Sequence, residues 1–286
     1  MSLRKAVECT YVTRASLLEL PVIARTMEET LQPHILCKKG DVAKYVLMPG
    51  DPGRVLRIGK LLDDYKEIAF NREFRTITGT YKGIRVSATS SGIGGPSTAI
   101  AVEELANVGA KVIIRVGSCG ALQPGMRIGD LVISQGVVRE DGTSKQYVPI
   151  QYPAVPDPEV YVALVKAADS LKEDLGFKYW VGITRSEDAL YSKEIRKLDR
   201  FWHEVGVVAA EMEASTLLTV GRLRGIKAGC IINVVDEFGE EPAEGIREYA
   251  VQAAKTKEGR AIEGERNMIK VALEAIVLLD KGGLIV

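Results

Sequence analysis

Residues 45–54 read Tyr-Val-Leu-Met-Pro-Gly-Asp-Pro-Gly-Arg, and this stretch indicates the fold class. Its first four residues form a short apolar run, which favours a buried β-strand. The glycines and prolines from Pro49 to Gly53 mark a turn. Beyond the turn, Val55, Ile58 and Leu61 recur at helical spacing. A strand that passes through a turn into a helix is typical of α/β proteins.

The same alternation continues along the chain. The pattern predicts strands over residues 74–80, 84–89, 111–116, 131–138, 179–184, 206–210 and 228–235. It predicts helices over residues 97–108, 158–171, 192–204 and 213–224, and one long helix over 246–279. Such alternation predicts an α/β sheet covered by helices on both faces. We expect one domain over residues 34–286, preceded by an extension over 1–33.

Composition excludes several classes of protein. The 38 basic and 38 acidic residues cancel, which argues against a protein that coats nucleic acid or binds membranes through a basic patch. No apolar run approaches the ~18 residues that cross a bilayer, and no signal-peptide pattern begins the chain, so we expect a cytoplasmic protein. The four cysteines form no C-x-x-C pair and are expected to be reduced. With two histidines, a His-rich zinc site is not expected.

A glycine cluster follows the strand predicted over 84–89. A dinucleotide fingerprint needs G-x-G-x-x-G, and counting from Gly92 its third glycine falls on Ser97. We therefore predict no nicotinamide cofactor. Glycines at strand ends still let backbone N–H groups approach an anion.

Two basic residues are candidates for binding an anion. Gly50, at a strand end, and Arg54, one helical turn on, form a pattern that fits either a phosphate cradle or a tight turn with a solvated arginine. Arg115 ends an apolar strand, where its burial is costly unless it meets an anion or a carboxylate. Ser118 adds a hydroxyl donor beyond that strand, where open α/β sheets bind ligands.

Three carboxylates follow strands. Glu211 and Glu213 flank Met212 at a strand-to-helix junction and fit either sugar hydroxyls or the positive end of a helix dipole. Asp236 fits either a general acid with a raised pKa or a cap of the following turn.

Five motifs in this order resemble the hexameric branch of the nucleoside phosphorylases, which includes uridine phosphorylases and bacterial-type purine nucleoside phosphorylases. They are PGDPGR (49–54), NREF (71–74), SGIGGPS (91–97), RVGSCGA (115–121) and AEMEA (210–214). The resemblance runs from about His34 to the last helix. It implies a single α/β domain with a mixed central sheet, and cleavage of a ribonucleoside by inorganic phosphate to free base and ribose 1-phosphate.

The resemblance also implies residue roles. The phosphate would be bound by Gly50, Arg54, Arg115 and Ser118, and by Arg72 of a neighbouring subunit. The ribose would be bound by Glu213, with Met212 packed on the sugar, Glu211 close by and His34 reaching the 5′-hydroxyl of the adjacent subunit. The implied assembly is a homohexamer built from dimers with shared active sites.

No cofactor other than the co-substrate phosphate is expected. Some uridine phosphorylases hold a monovalent cation at the dimer interface, and Glu73, Ile93 and Ser97 match those positions.

The three arginines assigned to phosphate, Arg54, Arg72 and Arg115, would concentrate it beside an oxocarbenium-like transition state.

The motifs conflict on whether the substrate carries a pyrimidine or a purine base. Residues 138–157 and 92–105 resemble uridine phosphorylases, but the usual G-Q-x-R element is missing from the 190–196 stretch, where Leu190 replaces an aromatic residue of the base site. Asp236 stands where purine phosphorylases place the acid that protonates N7. The predicted catalytic residues are therefore Asp236, as this acid, and Arg115, which would bind the attacking phosphate. We predict a uridine phosphorylase, with a purine nucleoside phosphorylase as the alternative. A nucleosidase and a non-catalytic binding protein are the other candidates, and phosphate-dependent turnover distinguishes them.

Overall fold

Nine strands form one mixed β-sheet in the computed structural model, which describes residues 30–239, 244–256 and 258–282. Their order in the sheet is β2-β3-β4-β1-β5-β8-β7-β6-β9, and β9 also pairs with β5. Five strands, from β5 to β9, therefore close into a ring. The bounds are β1 Tyr45–Met48, β2 Asp64–Asn71, β3 Phe74–Tyr81, β4 Ile84–Thr89, β5 Val112–Ala121, β6 Leu131–Arg139, β7 Tyr179–Ser186, β8 Ala209–Glu211 and β9 Lys227–Asp236.

Helices cover both faces of this sheet, as predicted. Their bounds are α1 Pro52–Gly59, α2 Gly95–Asn107, α3 Ser144–Tyr147, α4 Pro158–Leu175, α5 Ile195–Glu204, α6 Ala214–Leu223, α7 Glu244–Val251 and α8 Arg260–Lys281. One apolar layer includes residues of α2 and α6, and the other includes residues of α1, α4 and α8. No described helix has the length and apolar character that a bilayer-spanning segment needs.

The first strand, turn and helix form as the sequence predicts. All four residues of β1 are buried between β4 and β5, with which it pairs in parallel. Asp51 caps α1, because its side chain accepts hydrogen bonds from the backbone N–H groups of Gly53 at 2.7 Å and Arg54 at 3.0 Å. Pro52 occupies the first turn, where its missing N–H costs nothing. From this capped first turn the Arg54 side chain reaches the carbonyl oxygen of Val116 in β5.

Strand β2 was not predicted, and β5 is longer than predicted. β2 pairs only with β3 and is largely exposed, so it lacks the apolar alternation of a half-buried strand. β5 continues past Val116 through the glycines to Ala121, because β9 and β8 pair with this segment. Gly117 is needed there, since a Cβ at that position would lie 2.6 Å from the Arg115 guanidinium carbon.

The single long helix predicted over 246–279 is wrong. The structure has α7, a π-helical turn over Gln252–Thr256, and then α8. Gly259, with φ of +123°, precedes α8 in a conformation that L side chains rarely adopt. The break brings Tyr249 of α7 against Glu265 of α8, which a continuous helix would hold about 24 Å apart. The predicted extension over 1–33 lies outside the described residues, except for its last four.

Candidate active site

A cavity of about 1080 Å³ lies at the ends of β1, β5, β7, β8 and β9. It gathers most of the residues that the sequence singled out from distant parts of the chain. Those that line it are Gly50, Arg54, Glu73, Ile93, Arg115, Ser118, Leu190, Glu211, Met212, Glu213 and Asp236. The candidates that do not line it are His34, Arg72 and Ser97.

Arg54 is 3% exposed, which excludes the solvated arginine considered as an alternative. Its Nη1 donates to the carbonyl oxygen of Val116 at 2.7 Å, and its Nη2 donates to Ser118 Oγ at 2.8 Å. Nη2 also donates to the Tyr249 hydroxyl at 2.8 Å, and Nε donates to Glu265 Oε2 at 2.8 Å. These bonds hold the guanidinium in one orientation at the edge of the cavity.

Arg115 is also 3% exposed and lies between two carboxylates. Its Nε is 2.7 Å from Glu211 Oε2, and its Nη2 forms an ion pair with Glu213. Burial alone lowers the pKa of Arg115, but the two carboxylates outweigh it and keep the pKa above its ordinary value. Nη1 is buried without a hydrogen-bond partner among the described residues, so this arginine has donors left for an anion.

The two glutamates that follow β8 differ in their surroundings. Glu211 accepts hydrogen bonds from the backbone N–H groups of Glu213 at 2.8 Å and Ala214 at 2.9 Å, so it caps the start of α6. Glu213 accepts from the N–H of Gly94 at 2.6 Å and pairs with Arg115 through its other oxygen. Burial raises the pKa of Glu213. Of the two roles considered for these glutamates, binding at a helix terminus therefore applies to Glu211. Glu213 instead connects the SGIGGPS loop to Arg115.

Asp236 ends β9 and is 9% exposed. Its Oδ1 accepts from the N–H of Gly245 at 2.6 Å, in the first turn of α7. A Cβ at Gly245 would lie 1.9 Å from the carbonyl oxygen of Val235, so only glycine permits this approach. Asp236 thus caps α7 with one oxygen while it lines the cavity, and a cap does not exclude a role toward a ligand.

The structure also adds Glu187, a cavity residue that the sequence reasoning missed. It directly follows β7, as Asp236 ends β9, so the same pattern of a carboxylate after a strand was available. Arg185, 1% exposed, forms ion pairs with Glu187, Glu140 and Asp199, the last at 2.7 Å. Burial outweighs Arg185 and raises the pKa of Glu187 to about 7, with the nearby carboxylates adding to the effect.

Glu265 and Tyr249 form a second group that the sequence reasoning missed, and both contact Arg54, one of the phosphate-site candidates. Glu265, 2% exposed on α8, accepts from Nε of both Arg54 and Arg57, at 2.8 and 2.5 Å. The Tyr249 hydroxyl also donates to this carboxylate. A single glutamate inside the apolar stripe of the last helix was the signal that could have indicated it.

His34 and Arg72 lie away from the cavity of their own chain. His34 Nδ1 is 2.6 Å from Glu104 Oε1, and its backbone N–H donates to the same carboxylate. Arg72 is exposed in the turn between β2 and β3, with φ of +53°. The resemblance assigns both residues to a neighbouring subunit's site, and this assignment stays a prediction.

Two of the three cation candidates are in contact. Ser97 Oγ donates to Glu73 Oε1 at 2.9 Å, and a Cβ at Gly92 would lie 2.6 Å from both side chains. Ile93, the third candidate, is 77% exposed. A cation bound by these residues stays a prediction.

Residues 44–275 match the family model of the phosphorylase superfamily. A uridine phosphorylase of Thermococcus kodakarensis is 50% identical over 245 residues, which cover 80% of this chain and 86% of the relative. A guanosine phosphorylase of Halorubrum lacusprofundi is 44% identical, with 71% and 82% covered. A solved uridine phosphorylase structure from Vibrio fischeri superposes with a TM-score of 0.76 at 38% identity, covering 87% of this chain and 98% of that one. On this match of sequence and fold, the chain belongs to the phosphorylase superfamily.

Proposed function

We propose that this protein cleaves ribonucleosides with inorganic phosphate, releasing the free base and ribose 1-phosphate, and that uridine is its principal substrate. The observation that carries this proposal is the buried Nη1 of Arg115, which no described residue pairs with, in a cavity that Arg54 and Ser118 also line. Two buried guanidiniums and a hydroxyl at one end of a cavity form a site for a compact oxyanion. Similarity to relatives named uridine phosphorylase supports the choice of substrate.

The backbone at the phosphate end also suits an anion. A Cβ at Gly50 would lie 3.1 Å from the carbonyl oxygen of Gly92, so a side chain would crowd this loop. Glycine lets a ligand approach the Gly50 backbone closely, just before α1, whose first two N–H groups donate to Asp51. In the proposed reaction, Arg54, Arg115 and Ser118 orient phosphate for attack on the anomeric carbon.

The sugar would bind between the phosphate and the base. Strands β1, β5, β8 and β7 are consecutive in the sheet, so residues at their ends follow one another along the cavity. Gly50 follows the first of these strands, Arg115 lies within the second, and Glu213 follows the third. Its carboxylate would accept hydrogen bonds from ribose hydroxyls. As the glycosidic bond breaks, positive charge on the sugar would be stabilised by phosphate and by Glu213.

The guanosine phosphorylase among the relatives favours one alternative, a purine nucleoside phosphorylase. In that reaction Asp236 would donate a proton to the departing purine. Its place in the cavity and its burial fit this role. Uracil and guanine both carry a ring N–H beside a carbonyl, so one pocket could serve both.

The proposal extends to the assembly. We propose a homohexamer of dimers in which His34 and Arg72 complete the partner's site, with a structural monovalent cation at Glu73, Ile93 and Ser97. We propose the cytoplasm as its compartment, because the thiols of Cys37, Cys119 and Cys230 are free and buried. Such thiols are usual in reducing compartments.

The experiment measures base release from uridine, inosine, guanosine and adenosine, each with and without phosphate. We expect release that requires phosphate and is fastest with uridine, with ribose 1-phosphate as the second product. Faster release from purines would support the alternative. Equal release without phosphate would indicate a nucleosidase, and binding without any release would indicate a non-catalytic protein.

A further inference from the structure

A cluster of charged side chains lies at one wall of the cavity. Arg185 of β7 is surrounded by three carboxylates, those of Glu140, Glu187 and Asp199. One arginine cannot neutralise three carboxylates, so the cluster carries excess negative charge. The Glu140 and Asp199 side chains are 29% and 26% exposed, so water lowers the cost of their charge, whereas Glu187 is buried and its charge is costly.

Of these three acids, Glu187 and Asp199 line the cavity and Glu140 does not. Glu187 is the more buried of the two, with 9% of its side chain exposed against 26% for Asp199, so it gains more from a ligand that pairs with it. Glu187 Oε2 accepts from Arg185 Nη2, and its backbone N–H donates to the carbonyl oxygen of Glu211 at 3.0 Å. Its Oε1 has no hydrogen-bond partner in the described ranges. Arg185 therefore fixes one oxygen of the carboxylate, and the other oxygen is available to a ligand.

The strand order gives the position of Glu187 along the cavity. The phosphate candidates lie at β1 and β5, and the sugar candidates at β8. β7 is the next strand, and Glu187 directly follows it. Ile195, Arg196 and Asp199 of α5 line the same part of the cavity. On the proposed order of phosphate, sugar and base, Glu187 meets the base.

We infer that Glu187 determines base specificity by accepting a hydrogen bond from the ring N–H that uracil carries at N3 and 6-oxopurines carry at N1. An ionised carboxylate only accepts hydrogen bonds, so it pairs with an N–H and repels a ring nitrogen that is itself an acceptor. Cytosine N3 and adenine N1 are such acceptors. This inference rests on the proposed function and narrows it to nucleosides of uracil, hypoxanthine and guanine.

Arg185 acts in this scheme as a positioning residue. Its guanidinium binds Glu187, and it also holds Asp199 of α5 and Glu140, which follows β6. The carboxylate is thereby prevented from turning toward other donors near the cavity. A fixed acceptor discriminates better than a mobile one, because no reorganisation offsets a mismatched base.

The test compares uridine with 3-methyluridine, in which the ring N–H is replaced by a methyl group. At pH 8, above the pKa of Glu187, we expect wild-type kcat/KM to favour uridine by about 10-fold to 100-fold. Glu187→Leu should lose activity with uridine and keep it with 3-methyluridine, so that the preference disappears. Glu187→Gln keeps an accepting oxygen and should retain the preference. Glu187→Ala provides the same comparison if the leucine variant does not fold.

Glu140→Gln is the matched control, because it removes a partner of Arg185 that does not line the cavity. We expect it to retain the preference for uridine. An active Glu187→Leu or Glu187→Ala enzyme with the full wild-type preference would overturn the inference, as would a wild-type enzyme without any preference. If no nucleoside reacts with phosphate, the proposed function fails. In that case calorimetry still tests Glu187, because the ratio of the affinities for uracil and 3-methyluracil then replaces the ratio of the kcat/KM values.

Discussion

Arg115 shows how one buried residue can favour a ligand. Its guanidinium is buried beside Glu211 and Glu213, yet Nη1 has no hydrogen-bond partner in the described structure. Leaving a buried charged donor unpaired costs more than an ordinary hydrogen bond contributes. A phosphate oxygen at this point would remove that cost. The arrangement therefore favours binding of an anion over a purely structural ion pair.

Replacing Arg115 with lysine should mainly weaken the handling of phosphate. Arg115→Lys keeps the charge between the two glutamates but loses the planar array of donors. We expect kcat/KM for phosphate to fall about 100-fold, as for a lost charged hydrogen bond in a transition state. Steady-state kinetics with varied phosphate measure this. Arg224→Lys, at an exposed ion pair with Glu103, is the control and should leave the kinetics unchanged. An unaltered phosphate dependence in Arg115→Lys would contradict the assignment.

Asp236→Asn separates the two candidate bases. The amide keeps an oxygen that can accept from the Gly245 N–H, so α7 should stay capped. A lost general acid lowers the rate by about 100-fold or more, and we expect this only with inosine or guanosine. With uridine we expect less than about a threefold effect, since Asp236 has no proposed proton to donate there. Equal, small effects on both classes of nucleoside would reduce Asp236 to a cap.

At the scale of elements, Glu265 connects three helices. From α8 it accepts hydrogen bonds from Arg54 and Arg57 of α1 and from Tyr249 of α7. Burial alone raises the pKa of Glu265, but the two arginines outweigh it and lower the pKa from 4.5 to about 2. The carboxylate thus stabilises both the helix packing and the orientation of Arg54.

This pKa shift predicts a dependence of stability on acid. Because the pKa in the folded state lies below the unfolded value, the stabilisation is complete above pH 4.5 and is lost as the pH falls toward 2. Glu265→Gln should lower the free energy of unfolding at pH 7 by about 3 kcal/mol and flatten this dependence. Denaturant titrations between pH 7 and pH 2 measure both effects. Glu263→Gln, exposed on the same helix, should change stability by less than about 0.5 kcal/mol, and an equal loss there would contradict the assignment.

At the scale of the whole molecule, the cavity lacks two of the predicted ligand-binding residues, His34 and Arg72. His34 is held by Glu104, and Arg72 is exposed on the turn after the edge strand β2. An exposed arginine at the edge of the sheet can reach a second copy more easily than its own cavity. The proposed dimer with shared sites follows from this placement together with the family resemblance.

Shared sites predict complementation between two inactive variants. Arg72→Ala and Arg115→Ala should each lose most activity. Co-expressed, they should form mixed dimers in which one site has both arginines, restoring up to about a quarter of the wild-type activity. Phosphorolysis by the purified mixture measures this, and two Arg115→Ala copies serve as the control. Activity no higher than that of the separate variants would argue against a shared site.

The amino-acid sequence by itself determined the α/β class, the turn from β1 into α1 and the family. These features depend on periodicity and motifs that lie within a few residues of one another. Several of the residues that line the cavity were predicted, because they belong to motifs that lie in or close to the ends of strands. Only the tertiary structure decided their partners: Arg54 meets Glu265 across 211 positions of the chain, and Glu187 is held by Arg185 beside Glu140 and Asp199. Burial and ion pairing arise from such long-range contacts, and so do the exposed edge strand β2 and the break between α7 and α8.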